Sequence, residues 1–188
     1  QDWALPYRYE RIEQLIGATE KHDAKSMQAI HSDVTSLATR RLLPHLLQAQ
    51  STHPLAAAAQ AQLQGFDGVM DANASAPLVF AAWTDELARG LIIPRIGQDR
   101  FAATYGKRDY RAGIERMLER NDPWWCQPST CADQSAAALG RALDRLQAAY
   151  GPDPAQWRWG AAHPALSTHR PFGNVAALAR YFDVSVPS

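Results

Sequence analysis

Apolar residues along this chain recur mainly at spacings of three and four and almost nowhere in alternation, so the pattern predicts helices. Pro6 suits a first helical turn, and Ile12, Leu15 and Ile16 then share one face, which predicts a helix over 7–18. A longer helix is predicted from His22 or Asp23. Met27, Ile30, Val34, Leu37 and Leu42 line its inner face, and Pro44 should kink or split it before His45. Pro54 opens a short Ala-rich helix ending near Gly65, followed by a turn at 66–68. Ser75 is placed to cap a helix carrying Leu78, Phe80, Trp83 and Leu87, and Gly90 and Pro94 should interrupt the chain beyond Leu87. A further helix is predicted over 109–119, with Ile114, Met117 and Leu118 inward. Asp133 should cap the clearest stripe, Leu139, Leu143, Leu146 and Tyr150, which Gly151 ends. Asp153 to Gln156 reads as a capping box with proline at the first position of one short turn. Alternation occurs in the tail, at 182–186, which predicts a strand over about 183–188 whose sheet partner would lie outside this sequence. No repeat or low-complexity linker divides the 188 residues, so they read as a single helix-rich segment, mainly α.

Charge narrows the function classes. Nineteen basic and nineteen acidic residues cancel and are mixed along the chain, which gives no footprint for nucleic acid. No apolar run approaches the roughly 20 residues of a membrane span. The sequence begins at Gln1 without a signal peptide, as expected of a piece excised from a larger protein.

Two places carry candidate chemistry. Cys126 and Cys131 are separated by four residues, and Pro128 and Ser129 between them favour a turn. The first reading is a local disulfide, which implies a periplasmic or secreted protein; reduced structural thiols and half of a metal site are the alternatives. The second place is the block from Trp157 to His163, followed by His169 to Gly173. Cys126, Cys131, His163 and His169 can be written as a Cys2His2 set. However, the gap between the pairs is about twice that of a zinc finger, so no metal site is assigned. His163 and His169 read as packed histidines donating to backbone carbonyls rather than as a general base and its partner. The tryptophans and Phe172 read as core, since no basic stripe accompanies them. Asp33, among apolar positions, reads as a buried, hydrogen-bonded carboxylate with a structural role. Of Arg40 and Arg41, one should be solvated and one paired. Arg11, beside Glu10, reads as a member of a surface ion pair of little worth. No nucleophile elbow, phosphate loop, dinucleotide fingerprint or His-Glu-x-x-His motif occurs.

Taken in order, several blocks carry a resemblance. They are Pro6 to Ile12, Gln28 with Ser32 to Ala38, Leu42-Leu43-Pro44, Phe66-Asp67-Gly68, Ala76 to Phe80, Cys126 to Cys131, Arg158-Trp159-Gly160 with His163, and His169 to Phe172. In this order the chain resembles the penicillin acylase (penicillin amidase) family of N-terminal nucleophile hydrolases, and the resemblance covers nearly all of it. It implies a helical segment of the β chain of a larger αββα sandwich, in an exported precursor that cuts itself. It implies hydrolysis of a linear amide to a carboxylic acid and an amine, with a Ser at the head of the β chain as nucleophile and its own amino group as base. That Ser and the oxyanion-hole Asn are expected outside this chain, so the segment alone is expected to be inactive. The remainder of the acylase's α and β chains and a small N-acyl substrate are the expected partners. Calcium is expected at most in the parent, with no cofactor in this segment. One active-site residue carries over: Arg11 matches the family's Arg-Ile/Val-x-x-Leu segment, whose arginine organises the catalytic centre. A free-standing helical binding module and a small zinc protein are the alternatives.

Overall fold

Among residues 5–104 and 110–187, which the computed structural model describes, helices dominate. The first half holds α1 (Tyr7–Gly17), α2 (Ala24–His31), α3 (Leu37–Leu46), α4 (Ala56–Gln62), α5 (Ala76–Ile96) and α6 (Gln98–Thr104). The second half holds α7 (Tyr110–Glu119), α8 (Pro123–Cys126), α9 (Cys131–Tyr150), α10 (Trp159–Ala162) and α11 (Ala176–Phe182), with strands β1 (Pro164–Ser167) and β2 (Val184–Pro187). The expectation of a mainly α chain holds. Asp109, the expected start of α7, lies outside the described residues.

The long helices α5 and α9 pack on each other and carry the core. Trp83, Leu87 and Leu91 of α5 meet a buried stripe of Leu139, Leu143 and Leu146 on α9. Each such side chain removed from water contributes roughly 1.5–3 kcal/mol before the loss of chain entropy is set against it. Trp83 is fully buried, and its indole N–H donates to the Ser135 carbonyl at 2.8 Å, so the largest core side chain leaves no polar atom unpaired.

Several sequence expectations are corrected. Gly90 and Pro94 do not interrupt α5. A Cβ on Gly90 would sit 2.6 Å from an Arg141 nitrogen, so the glycine makes room for a side chain that crosses from α9 to Glu86. Pro94 lies in the last turn, where one lost ladder bond is tolerated. Pro44 is likewise near the end of α3 and does not split it; the predicted long helix breaks earlier, at residues 32–36. The cap of α9 is Thr130, not Asp133: Thr130 accepts from the Asp133 amide, and Asp133 returns the bond to the Thr130 amide. Ser75 takes the N-cap position of α5 as expected but makes no side-chain cap, because its hydroxyl donates to Gln62 Oε1 at 3.0 Å instead. Asp153 makes only half of a capping box, accepting from the Ala155 amide ahead of a 3-10 turn.

The tail strand finds its partner inside this chain. β2 pairs antiparallel with β1, Ala165 opposite Val186 and Leu166 opposite Ser185. Both strands are exposed along their whole length. The hairpin meets the rest of the chain at Gly160 of α10, whose amide donates to the Ala72 carbonyl, in the loop before α5, at 2.9 Å. A Cβ there would lie 2.8 Å from the Pro187 side chain and 2.9 Å from that of Ala72, so only glycine allows this crossing.

Candidate functional site

The break at 32–36 builds the site. Asp33 Oδ1 accepts from the Thr35 amide at 3.2 Å, and the Thr35 hydroxyl donates to Oδ2 at 3.0 Å. These local bonds compete with the helical ladder and turn the chain out of α2. The segment is then held from the far side. Met70 donates its amide to the Val34 carbonyl at 3.2 Å, and Ser36 donates to the Gly68 carbonyl at 2.7 Å. Thr35 and Val69 thereby form an antiparallel bridge. Gly68 has φ +97°, and a Cβ on it would lie 2.5 Å from the Ser36 carbonyl oxygen, so the turn requires glycine.

Arg11 reaches this segment from α1. Its Nε donates to Asp33 Oδ1 at 2.9 Å and its Nη2 to Oδ2 at 2.6 Å, a side-on pair that uses both carboxylate oxygens. Nη2 also donates to Thr35 Oγ1 at 3.3 Å. The side chains are 23% and 17% exposed, which separates this pair from a solvated surface pair. The Arg11 hydrogen bonds hold the Asp33 carboxyl well below the usual range, at about 2; burial opposes them, and the Thr35 amide and hydroxyl assist. Asp33 in turn raises the Arg11 pKa. The expectation of a structural, hydrogen-bonded Asp33 therefore gains a specific partner, although the residue sits on a turn rather than a helix. Arg11 pairs with Asp33 and not with Glu10, because Glu10 is taken by Arg41 through two bonds of 3.1 Å.

A second polar cluster supports α1. Arg41 also meets Glu115 at 3.6 Å, and its guanidinium lies over the Tyr7 ring, 5.2 Å from the centroid. Tyr7 donates its hydroxyl to Glu115, which is 5% exposed. Three helices are thus joined by one buried carboxylate. Arg40, as expected of one solvated member of the pair, is exposed and donates Nε only to the Asp67 carbonyl.

Between α1, α2 and the turn lies a cavity of about 460 Å³. Its walls include Ile12, Leu15, Ile16, Met27 and Ile30, together with the polar side chains of Arg8, Arg11, His31 and Asp33. A largely apolar recess with a fixed guanidinium in its wall is suited to a group with an apolar body and an oxygen-bearing end.

The other candidate residues fall elsewhere. Cys126 and Cys131 are joined in a disulfide, both buried, at the start of α9. This overturns the two alternatives, reduced thiols and a zinc half-site. Among the described residues no group of three or more His, Cys, Asp and Glu could hold a metal ion. Trp157 is fully buried, as core, with its indole N–H on the Gly151 carbonyl at 2.9 Å. Phe172 is not core: it is 40% exposed and stacks on His169, with ring centroids 5.1 Å apart. His163 is exposed and stacks on Trp159 at 4.5 Å. Both histidines thus pack on aromatic faces at the surface, apart from Arg11. The sequence reading gives Gly68 as part of a turn and Thr35 as part of a family block but assigns neither a role at the site, although the Asp-x-Thr spacing of an Asx turn is a usable signal.

The chain belongs to the penicillin amidase family, whose model matches residues 1–187. Its mainly helical fold is that of a helical segment of such a hydrolase. Relatives include the acyl-homoserine lactone acylase QuiP of Pseudomonas aeruginosa, 30% identical over 86% of this chain and 22% of that protein. The proteins of the same name from Pseudomonas putida and Pseudomonas fluorescens are each 24% identical, over 89% and 86% of this chain and 24% and 23% of theirs. The chain thus spans about a quarter of the length of these relatives. No described helix is long and apolar enough to cross a membrane.

Proposed function

We propose that the chain is part of a larger acylase that hydrolyses a linear amide, releasing a carboxylic acid and an amine, rather than a free-standing helical binding module. The family match along residues 1–187 carries this reading. The relatives named as acyl-homoserine lactone acylases favour an N-acyl substrate of that kind. The nucleophilic Ser, its amino group and the oxyanion donors are supplied by other parts of the parent. This segment supplies Arg11. A guanidinium stays charged at every relevant pH and donates in a fixed fork, so it suits an organiser of acyl-transfer groups. Any calcium of the parent belongs to those other parts. The Cys126–Cys131 disulfide supports a periplasmic or secreted setting, where such bonds persist.

The test is hydrolysis by the mature parent protein of an acyl-homoserine lactone and of a chromogenic fatty-acyl or phenylacetyl amide. Release of free amine is expected from the parent and none from the 188-residue chain alone. No hydrolysis by the mature parent, or turnover by the isolated chain, would overturn the reading.

A further inference from the structure

We propose that Asp33, assisted by Thr35, is a positioning residue for amide hydrolysis, acting through Arg11. The inference rests on the acylase reading above and adds residues to the same site.

The geometry divides the guanidinium into a held edge and a free one. Nε and Nη2 are both committed to Asp33, and Nη2 also to Thr35. Nη1 has no partner among the described residues, and Arg11 lines the cavity. A side-on carboxylate fixes the plane of the guanidinium, so the two N–H donors of Nη1 are held in set directions within that plane. Asp33 is itself fixed without help from Arg11. Its oxygens accept from Thr35, and the backbone around it is pinned by the Val34 carbonyl and the Ser36 amide. The carboxylate is therefore a preset template, and the arginine is the group set by it. A merely structural ion pair needs no such separately anchored partner. The Thr35 hydroxyl completes the arrangement, accepting from Nη2 while donating to Oδ2, which fixes the guanidinium against rotation toward the solvent. Loss of the template frees a side chain with large rotamer entropy, and a misplacement of about 1 Å at a reacting centre lowers rate by about 100-fold.

The experiment is a double-mutant cycle in the mature parent enzyme, with kcat and KM referred to the amount of processed β chain measured by mass spectrometry. Asp33→Asn should lower kcat by about 10- to 100-fold, with KM within about threefold of wild type. Arg11→Ala and the double variant should then share one kcat, because Asp33 has nothing left to position. Thr35→Val, which keeps the side-chain shape, should lower kcat in the same direction by about threefold. If Asp33→Asn does not mature, the cycle of Thr35→Val with Arg11→Ala carries the same test. An Asp33→Asn kcat within twofold of wild type, or losses that multiply in the double variant, would overturn the inference and leave the acylase reading standing. An inactive mature wild type would overturn that reading and the inference with it.

Discussion

Gly68 and Ser36 approach so closely that a single methyl group on the glycine would lie 2.5 Å from the serine carbonyl oxygen. The opposing atom is backbone, and the glycine also holds a positive φ. Neither conflict can be relieved by a side-chain rotation. Gly68→Ala should therefore destabilise the chain by about 2–4 kcal/mol, the sum of left-handed strain and a displaced turn. Urea denaturation of the two proteins measures the difference, and an unchanged midpoint would mean that the turn adapts.

The Asp33 carboxyl gives the acid limb of stability a definite sign. Its pKa is about 2 in the folded chain and about 3.9 unfolded, so the unfolded state binds protons first as pH falls. The stabilisation, about 2 kcal/mol, is complete above about pH 4 and disappears as pH drops through 2. Asp33→Asn should be less stable than wild type at pH 5, and the gap should close toward pH 2. Denaturant titrations across that interval check it; a constant gap would contradict the shift.

The disulfide closes a short loop, and both sulfurs are buried at the start of α9. Loop-closure entropy alone assigns it about 2 kcal/mol. The Cys126→Ser, Cys131→Ser pair should lower the thermal midpoint of the chain, and reductant should then have no further effect. Equal midpoints with and without reductant in the wild type would refute this.

Trp83 fills the contact between α5 and α9, with no exposed surface and its N–H on Ser135. Trp83→Ala should cost about 3–5 kcal/mol by opening a cavity. Trp83→Phe should cost less, since most of the volume remains. Calorimetric midpoints rank the three proteins, and Phe falling below Ala would overturn the packing argument.

How much of the fold and the site is legible in the sequence depends on the range of the forces involved. The stripe of Leu139, Leu143 and Leu146 is legible because its periodicity and its burial come from the same helix. The break at Asp33 is not, because Val34 and Leu37 continue a helical pattern while the competing partners, residues 68–70, lie more than thirty positions away. Gly90 misleads for the same reason: its meaning depends on Arg141, on another helix. Family resemblance singles out Arg11 but not its partner, since Glu10 is nearer in sequence and Asp33 nearer in space. The strand at the tail is visible by alternation, whereas its partner β1, opening at Pro164 and four residues long, has no pattern to read.

The crossing at Gly160 has a consequence for how the molecule opens. Beyond it, the paired strands and α11 bury almost nothing, while α5 and α9 hold the apolar interior. Stability is then unevenly distributed, and the C-terminal hairpin forms its own cooperative unit. Its ladder amides should exchange with solvent deuterium through local opening, before those of α9. The Gly160 amide marks the boundary between the two rates.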